Sequence, residues 1–291
     1  MPSAAVLRVA VRELTTRERS ARQTEPDLVM EDPDQVADYV RAGLEGGVLA
    51  PVYLFHCANI CEVIRPGDRV LDLACGPANQ LAMVARLNPE IQFVGADLSE
   101  TMLERASVLI REQGLTNITL CHTDISDLAE FADSSFDAVI STMALHHLPS
   151  TEILEQTFGE VTRVLKAGGG VYMVDFGHLK SDRSIAYFAN QYKDRQPEIF
   201  AVDYLNSLRA AFSVADFRRA ARLLNGRAKV YSTFLFPFMV AIKSAPRGDR
   251  AASRVPQRLV ALKSQLPAWH QVDLADLQTF FRLGGLSCQY L

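Results

Sequence analysis

A run of small residues between a predicted strand and a predicted helix has the clearest potential for ligand chemistry. Residues 70–80 read VLDLACGPANQ. Small side chains allow a tight turn and a close approach of the backbone to a ligand, and a helix N-terminus presents unpaired N–H groups. The dinucleotide-binding pattern Gly-x-Gly-x-x-Gly is absent because its positions hold Ala74, Gly76 and Asn79. The loop therefore predicts a ligand site without a pyrophosphate cradle.

A carboxylate stands at the end of the next predicted strand. Asp97 follows Val94, Gly95 and Ala96, and an acid at this place accepts both hydrogen bonds of a ribose diol in adenosine-binding sheets. Its alternative role is to cap the helix that begins near Ser99. An adenosine site without a pyrophosphate cradle suggests S-adenosylmethionine.

At this point the chain resembles the class I S-adenosylmethionine-dependent methyltransferases over about residues 34–244. The resemblance rests on five motifs in the expected order, at residues 70–78, 97, 123–125, 136–141 and 164–170. It implies an α/β fold: a three-layer Rossmann-like sandwich with a seven-stranded, mostly parallel sheet, a terminal antiparallel hairpin, a helical N-terminal cap and a helical C-terminal extension.

The resemblance also implies the cofactor contacts. The family often has Gly where this chain has Ala74 and Ala78. The predicted S-adenosylmethionine contacts are Tyr53, Asp72, Ala74, Cys75, Gly76, Asn79, Asp97, Leu98, Met102, Asp124, Ile125 and Met143. Asp72 could instead organise the first loop from beneath, and Asp124 could form an ordinary turn. Leu98 and Met102 could simply belong to the core. Cys75 has the alternative of a small loop residue whose backbone alone matters.

Methyl transfer from a sulfonium is an in-line displacement that requires alignment, exclusion of water and, for some acceptors, removal of a proton. The candidate proton acceptors follow the fourth and fifth strands: His146, His147 and Asp175. Structural roles for the histidines and a capping role for Asp175 stay open. Further walls of the acceptor site are expected around Tyr187, Tyr192 and Tyr204.

Several substrate classes are disfavoured. The position after the fourth strand reads STMA at residues 141–144, which lacks both the Asn/Asp-Pro-Pro-Tyr clamp of base-amino methyltransferases and the Cys nucleophile of cytosine C5 enzymes. Residues 207–264 contain twelve Lys and Arg but only two Asp. This basic segment could serve a nucleic-acid or protein substrate, but the favoured interpretation is a solvated face that pairs with the acidic remainder of the chain, so we do not expect a nucleic-acid partner.

The cysteines do not indicate a disulfide scaffold, because five in 291 residues are few and odd in number. Cys57 and Cys61 share one helix face and could form a thiol pair for a soft metal or metalloid, but buried packing is the favoured interpretation. We predict no metal site.

The elements that position these residues follow a strand–helix alternation. We predict a flexible or partly helical segment over residues 1–33, the methyltransferase domain over 34–245 and an extension over 246–291. Predicted helices before the sheet cover 34–44 and 51–64, those within it cover 80–87, 100–113 and 152–165, and a helix-rich stretch covers 184–225. Predicted strands cover 69–73, 92–96, 118–122, 136–141, 170–176, 229–234 and 238–242.

The composition completes the hypothesis. The longest uncharged runs fall short of the roughly 18 to 20 residues of a membrane span, and the first residues lack a secretory signal, so we expect a cytoplasmic protein. The predicted helix around Trp269 is amphipathic, so its apolar face must pack against another surface. That surface could be the sheet domain, the substrate cavity or a second subunit in a homodimer. We expect a small organic acceptor. The alternatives are a protein or RNA methyltransferase and a non-catalytic S-adenosylmethionine-binding interaction protein.

Overall fold

Seven strands form one mixed sheet in the computed structural model, which describes residues 4–17, 20–26, 31–43, 46–247 and 254–291. The strands lie in the order β3-β2-β1-β4-β5-β7-β6. Adjacent strands from β3 through β5 are parallel, whereas β7 runs antiparallel to both β5 and β6. The strands are β1 (Arg69–Leu73), β2 (Gln92–Asp97), β3 (Ile118–His122), β4 (Phe136–Thr142), β5 (Leu165–Phe176), β6 (Ala228–Ser232) and β7 (Met239–Ser244).

Helices cover both faces of the sheet. The strands β1, β4 and β5 are buried along most of their length, as continuous apolar runs predict for parallel strands. The helices are α1 (Ala4–Thr15), α2 (Pro33–Ala42), α3 (Ala50–Val63), α4 (Asn79–Leu87), α5 (Glu100–Glu112), α6 (Thr151–Val164), α7 (Asp182–Asn190), α8 (Glu198–Ala210), α9 (Val214–Ala221), α10 (Val255–Gln265) and α11 (Ala268–Leu283).

The predicted fold class is confirmed, including the terminal hairpin of β6 and β7. The fifth strand begins at Leu165, five residues before its predicted start, because Leu165 already pairs with Phe136. The pairing then shifts register, and Gly168 takes a left-handed φ of 70° within the shift. The helix predicted over residues 34–44 corresponds to α2, and its predicted end at Leu44 lies outside the described residues.

The N-terminal residues contribute packing as well as helix. Val9 and Ala10 of α1 are buried against the region of α7 and α8. The carboxylate of Glu13 accepts hydrogen bonds from the backbone N–H groups of Lys180 and Ser181, directly before α7. These bonds satisfy donors at a helix start. The division of the chain at residues 33 and 245 stays a prediction.

The C-terminal extension packs into the same core as the sheet. Phe281 of α11 stacks on Phe55 of α3 with ring centroids 5.2 Å apart. Leu286 and Tyr290 are buried in that cluster together with residues of β1 and β7. Across the described residues, no helix is both long and apolar enough to cross a membrane.

Candidate functional site

The loop between β1 and α4 holds three residues in the left-handed region of backbone space. Ala74, Gly76 and Ala78 have φ values of 53°, 54° and 62°. Left-handed backbone favours glycine because Cβ crowds the neighbouring carbonyl. This geometry explains why the family that the chain resembles often has Gly at positions 74 and 78. The loop is fixed to β2 by a hydrogen bond from Cys75 N to Ala96 O at 3.0 Å.

Asp97, at the end of β2, connects this loop to the next helix. Its Oδ2 accepts a hydrogen bond from Gly76 N at 2.7 Å, and its Oδ1 accepts one from Ser99 N at 2.9 Å. Burial raises the pKa of the carboxyl, and the backbone N–H groups of Ser99, Gly76 and Leu98 oppose that rise. The side chain that caps α5 is Ser99, whose Oγ accepts a hydrogen bond from Met102 N. Ser99 therefore has the capping role, and Asp97 lines a cavity.

Most of the predicted cofactor contacts line that cavity, which has a volume of about 570 Å³. Asp124 uses Oδ1 to accept hydrogen bonds from the Ser126 N–H and hydroxyl, so it forms a turn and also faces the cavity. Met143, directly after β4, lines the cavity and has a left-handed φ of 55°. The predicted cofactor contacts that line the cavity are Tyr53, Ala74, Cys75, Gly76, Asn79, Asp97, Leu98, Met102, Asp124, Ile125 and Met143.

Asp72 is the predicted contact that does not line the cavity. It lies buried in β1 with 3% of its surface exposed. Burial and the nearby Asp97 carboxylate raise its pKa well above the ordinary value. Its position favours the alternative role beneath the first loop.

Gln80 lines the cavity and was not singled out from the sequence. Its Nε2 donates a hydrogen bond to Tyr53 O at 3.2 Å, and its Oε1 is buried with no hydrogen-bond partner among the described residues. A buried carbonyl oxygen without a donor is costly unless a ligand supplies one. Its place at the start of the helix after the small-residue loop was the available sequence signal.

The predicted proton acceptors come together at the ends of β4 and β5. His146 lies in a short 3₁₀ turn, Leu145–His147, and lines the cavity. Asp175, fully buried, lies behind it and does not line the cavity. Its Oδ1 binds His146 Nδ1 at 2.7 Å, and its Oδ2 accepts a hydrogen bond from His146 N at 2.6 Å. The carboxylate therefore orients His146 and does not face the substrate directly.

The two histidines have opposite electrostatic environments. Burial lowers the pKa of His146, but the Asp175 carboxylate and its hydrogen bond outweigh burial, so the pKa is raised. Burial and the neighbouring His146 hold the pKa of His147 well below its ordinary value. His147 Nδ1 is buried and has no partner among the described residues. His146 is thus the stronger base of the pair.

Glu25 is a further acidic residue at this point, and the sequence pattern did not indicate it. Its Oε1 lies 3.8 Å from His146 Nε2 and is buried without a hydrogen-bond partner among the described residues. Within the described ranges, Glu25, His146 and His147 form the group of three potential metal ligands, each with an atom within 4.8 Å of the others.

Arg22 holds the segment that carries Glu25 against the His146 turn. Its guanidinium donates hydrogen bonds to the carbonyl oxygens of His146, Leu148, Pro149 and Ala210 at 2.6 to 3.0 Å. It also lies 3.9 Å from the centre of the Phe212 ring. Nothing in the local sequence distinguishes Arg22 from the other arginines of this segment.

The far end of the cavity is aromatic. Tyr187, Tyr192 and Tyr204 line it, as expected from the sequence. Helix α11 contributes Phe280 to the same wall. Further aromatic side chains of the wall are Tyr39, Phe176, Phe188, Phe200, Phe236 and Phe238. The cavity therefore joins a polar end near Asp97 to an aromatic end through the His146 turn.

Comparison with known proteins identifies the domain. Residues 64–208 match the family model described as a methyltransferase domain. The chain carries a class I S-adenosylmethionine-dependent methyltransferase domain. The match covers the sheet from β1 to β5 and most of α8, and so includes Asp97, His146 and Asp175.

Two curated relatives match the same part of this methyltransferase domain. The demethylmenaquinone methyltransferase of Listeria welshimeri is 35% identical over 113 residues, which is 38% of this chain and 46% of the relative. The sterol methyltransferase-like 2 protein of Botryococcus braunii is 39% identical over 106 residues, which is 36% of this chain and 26% of the relative. The chain thus spans less than half the length of these relatives.

Two solved structures share the methyltransferase fold. A S-adenosylmethionine-dependent methyltransferase from Aquifex aeolicus superposes with a TM-score of 0.53 at 14% identity, over 75% of this chain and 100% of that one. A protein from Methanococcus maripaludis described in the same words gives a TM-score of 0.53 at 17% identity, over 79% and 99%. At such identities the likeness concerns the fold.

The residues of the methyltransferase domain fit S-adenosylmethionine. Asp97 offers acceptor oxygens for a ribose diol, and the unpartnered Gln80 Oε1 offers an acceptor for an ammonium group. A Cβ at Gly76 would meet no atom within 4 Å and would project into the cavity. The loop thus leaves backbone exposed where a ligand can approach it.

Two further sequence patterns of the methyltransferase chain now have structural positions. Cys57 and Cys61 are buried in the core on α3, and the Cys61 hydrogen bond and burial raise the pKa of Cys57 well above its ordinary value. A thiol held protonated is a poor metal ligand. In the basic segment, Lys243 pairs with Glu62, Arg219 with Glu155, and Arg247 with Asp68. Arg250 of that segment lies outside the described residues.

Proposed function

We propose that this protein transfers a methyl group from S-adenosylmethionine to a small, largely apolar organic acceptor by direct in-line displacement. The observation that carries the proposal is one continuous cavity, lined by Asp97, by His146 and by the aromatic wall around Tyr204. Such a cavity places a cofactor and an acceptor side by side. The names of the two curated relatives, a demethylmenaquinone and a sterol methyltransferase, support an apolar small molecule.

S-adenosylmethionine supplies an electrophilic methyl group on a sulfonium, which is an excellent leaving group. Asp97 and the loop around Gly76 bind and orient the adenosine end. His146 takes the proton of the acceptor at Nε2, because the bond from Nδ1 to Asp175 fixes the tautomer that leaves Nε2 unprotonated. The aromatic wall excludes water from the reacting atoms.

The basic segment supports a small acceptor over nucleic acid. Three of its cations, Arg219, Lys243 and Arg247, pair with acidic side chains of this same chain. A surface that binds phosphates needs unpaired cations along the nucleic-acid path. The alternative interpretation of the segment, as a nucleic-acid or protein substrate site, therefore receives less support.

Calorimetry with S-adenosylmethionine tests the cofactor site, and transfer of a labelled methyl group into a metabolite extract tests the activity. We expect binding by the protein, loss of at least tenfold in affinity in Asp97→Ala, and labelled product that disappears in His146→Ala. Absence of cofactor binding would overturn the proposal. Binding without transfer to any acceptor would favour the non-catalytic binding protein. Salt-sensitive RNA binding that is lost on neutralising Arg218, Arg219 and Arg222 would favour the macromolecular substrate.

A further inference from the structure

The cavity has an unusual distribution of charge. The chain contains 30 Lys and Arg residues, but within the described ranges none of them lines the cavity. Asp97 and Asp124 lie at its cofactor end, and Asp203, Asp273 and Asp276 lie at its acceptor end. An acceptor with a carboxylate or phosphate would meet acidic side chains there and no Lys or Arg of the described lining. The field of the acceptor end instead favours a cation.

Asp203 of α8 is the acid best placed to bind it. Gln35 Nε2 donates a hydrogen bond to its Oδ1 at 2.7 Å, which positions the carboxylate and leaves Oδ2 without a donor among the described side chains. Asp273 bonds the Tyr192 hydroxyl and already has the Arg195 guanidinium nearby, although its buried Oδ2 has no hydrogen-bond partner among the described residues. Burial raises the pKa of Asp203, and the hydrogen bond from Gln35 and the charge of His146 oppose that rise.

Glu25 adds a second negative charge beside Asp203. Its side chain is 5% exposed, and its Oε1 has no hydrogen-bond partner within the described part of the chain. Burial raises its pKa, the charge of His146 and a hydrogen bond from Ser207 lower it, and the charge of Asp203 raises it. One hydroxyl donor compensates a carboxylate this buried only in part, so a cation nearby would stabilise it.

The local cations do not compensate these acids fully. Arg22 is committed to four backbone carbonyls and to the face of Phe212. The imidazole of His146 already binds the Asp175 carboxylate through Nδ1. Even with His146 protonated, the two cations are Arg22 and His146, whereas the carboxylates are three: Glu25, Asp175 and Asp203.

Aromatic residues line the cavity next to Asp203 on the same helix, at Phe200 and Tyr204. The ring centre of Phe200 lies 6.5 Å from that of Tyr39 and 6.3 Å from that of Tyr204. Tyr204 in turn lies 5.4 Å from Phe176, which continues the wall toward His146. Aromatic faces attract organic cations, most strongly where water is excluded.

We propose that the acceptor molecule carries a protonated amine on an apolar or aromatic body, and that this ammonium group pairs with Asp203 beside the rings of Phe200 and Tyr204. The proposal rests on the proposed methyltransferase function and names its acceptor class. The negative charge of Glu25 further favours a cation at this site. A zinc ion is the less suitable cation, because tetrahedral zinc with bonds of about 2.0 Å needs ligand atoms roughly 3.3 Å apart, whereas Glu25 Oε1 and His146 Nε2 lie 3.8 Å apart.

Calorimetry on the protein saturated with S-adenosylhomocysteine tests the proposal with three probes of similar shape: 2-phenylethylamine, 2-phenylethanol and 3-phenylpropionate. We expect the amine to bind about tenfold more tightly than the alcohol, and the carboxylate to bind most weakly. In Asp203→Asn the amine should lose that advantage while the alcohol binds as before. Glu198→Gln, an exposed acid on the same helix, is the matched control and should keep the preference.

Equal binding of the amine and the alcohol, no binding of the amine, or an amine preference that persists in Asp203→Asn would overturn the proposal. Loss of amine binding on adding EDTA would also overturn it, because a metal ion would then mediate recognition. If Asp203→Asn fails to fold, Glu25→Gln provides the second variant and should weaken the amine alone. Failure to bind S-adenosylhomocysteine would contradict the proposed function itself and so differs from failure of the acceptor assignment.

Discussion

Asp175 binds His146 twice, through the backbone nitrogen at 2.6 Å and through ring Nδ1 at 2.7 Å. The first bond fixes the turn after β4, and the second fixes the ring and its tautomer. Because both bonds come from one fully buried carboxylate at the end of β5, neighbouring strands determine the position of the proposed base. The sheet thus supports the reaction through a residue that does not touch the cavity.

The first prediction concerns the pH dependence of methyl transfer in Asp175→Asn. Because the carboxylate raises the pKa of His146 above its ordinary value, the neutral base forms, and activity rises, as pH increases through that raised pKa. Without the charge, the midpoint should move to lower pH, while the maximal rate falls about a hundredfold because the tautomer is no longer fixed. The measurement is kcat against pH for both proteins.

Asp182→Asn is the control, since Asp182 is exposed at the start of α7 and lies outside the cavity lining. It should leave the profile unchanged. An Asp175→Asn midpoint identical to that of the parent would show that His146 is not the titrating group.

The sheet and the cofactor end could be predicted because their signals are local. Buried parallel strands give continuous apolar runs, and the loop at residues 74–78 and Asp97 each follow such a run directly. Strand topology also brings the ends of β4 and β5 together, so His146 and Asp175 were both expected near the acceptor. The direction of the Asp175 carboxylate could not be predicted, because it depends on the backbone of the His146 turn.

The acceptor end could be predicted only in part, because its residues come from distant segments. The tyrosines at 187, 192 and 204 were identified as a group. Glu25 and Arg22 lie in an N-terminal segment without a motif, and Asp203 is one acid among many in the helix-rich stretch. These residues lie close to His146 only because of tertiary packing. A single sequence does not indicate such packing where it carries no periodic pattern or motif.

The second prediction concerns Arg22→Ala. This change removes four hydrogen bonds to carbonyl oxygens and the contact with Phe212. Bonds from a charged donor each contribute about 1.5 to 3 kcal/mol, although water replaces part of that here. We expect the free energy of unfolding to fall by about 2 to 4 kcal/mol in urea titrations. Arg17→Ala, at an exposed position, should change it by less than about 0.5 kcal/mol, and equal effects of the two would contradict the assignment.

The third prediction concerns the strained loop. Ala74 has a φ of 53°, and a left-handed alanine costs roughly 1 to 2 kcal/mol relative to glycine. Ala74→Gly should therefore raise the free energy of unfolding by about 1 kcal/mol, after part of the gain is lost to the greater freedom of glycine in the unfolded chain. The measurement is the urea midpoint with unchanged slope.

Ala186→Gly is the matched control, because Ala186 is exposed within α7, where glycine should cost about 1 kcal/mol. Opposite signs for the two substitutions are expected. Destabilisation by both would show that the loop holds Ala74 without appreciable strain.

The last prediction concerns the buried ion pair that joins β7 to α3. Lys243 and Glu62 have side-chain exposures of 4% and 2%, and Lys243 Nζ also donates to Asn59 Oδ1 at 2.8 Å. Lys243→Met leaves the Glu62 carboxylate buried without its cation, which should cost about 3 to 5 kcal/mol. Adding Glu62→Gln should restore much of that loss, because the uncompensated charge disappears.

Lys229→Met is the control, because Lys229 pairs with Lys243 in the register of β6 and β7 but is exposed. This substitution should leave the free energy of unfolding nearly unchanged. Urea titrations of the parent, Lys243→Met, Glu62→Gln and the double variant measure the coupling, with Lys229→Met as the fifth protein. Additive losses in the double variant would show that the two side chains act independently.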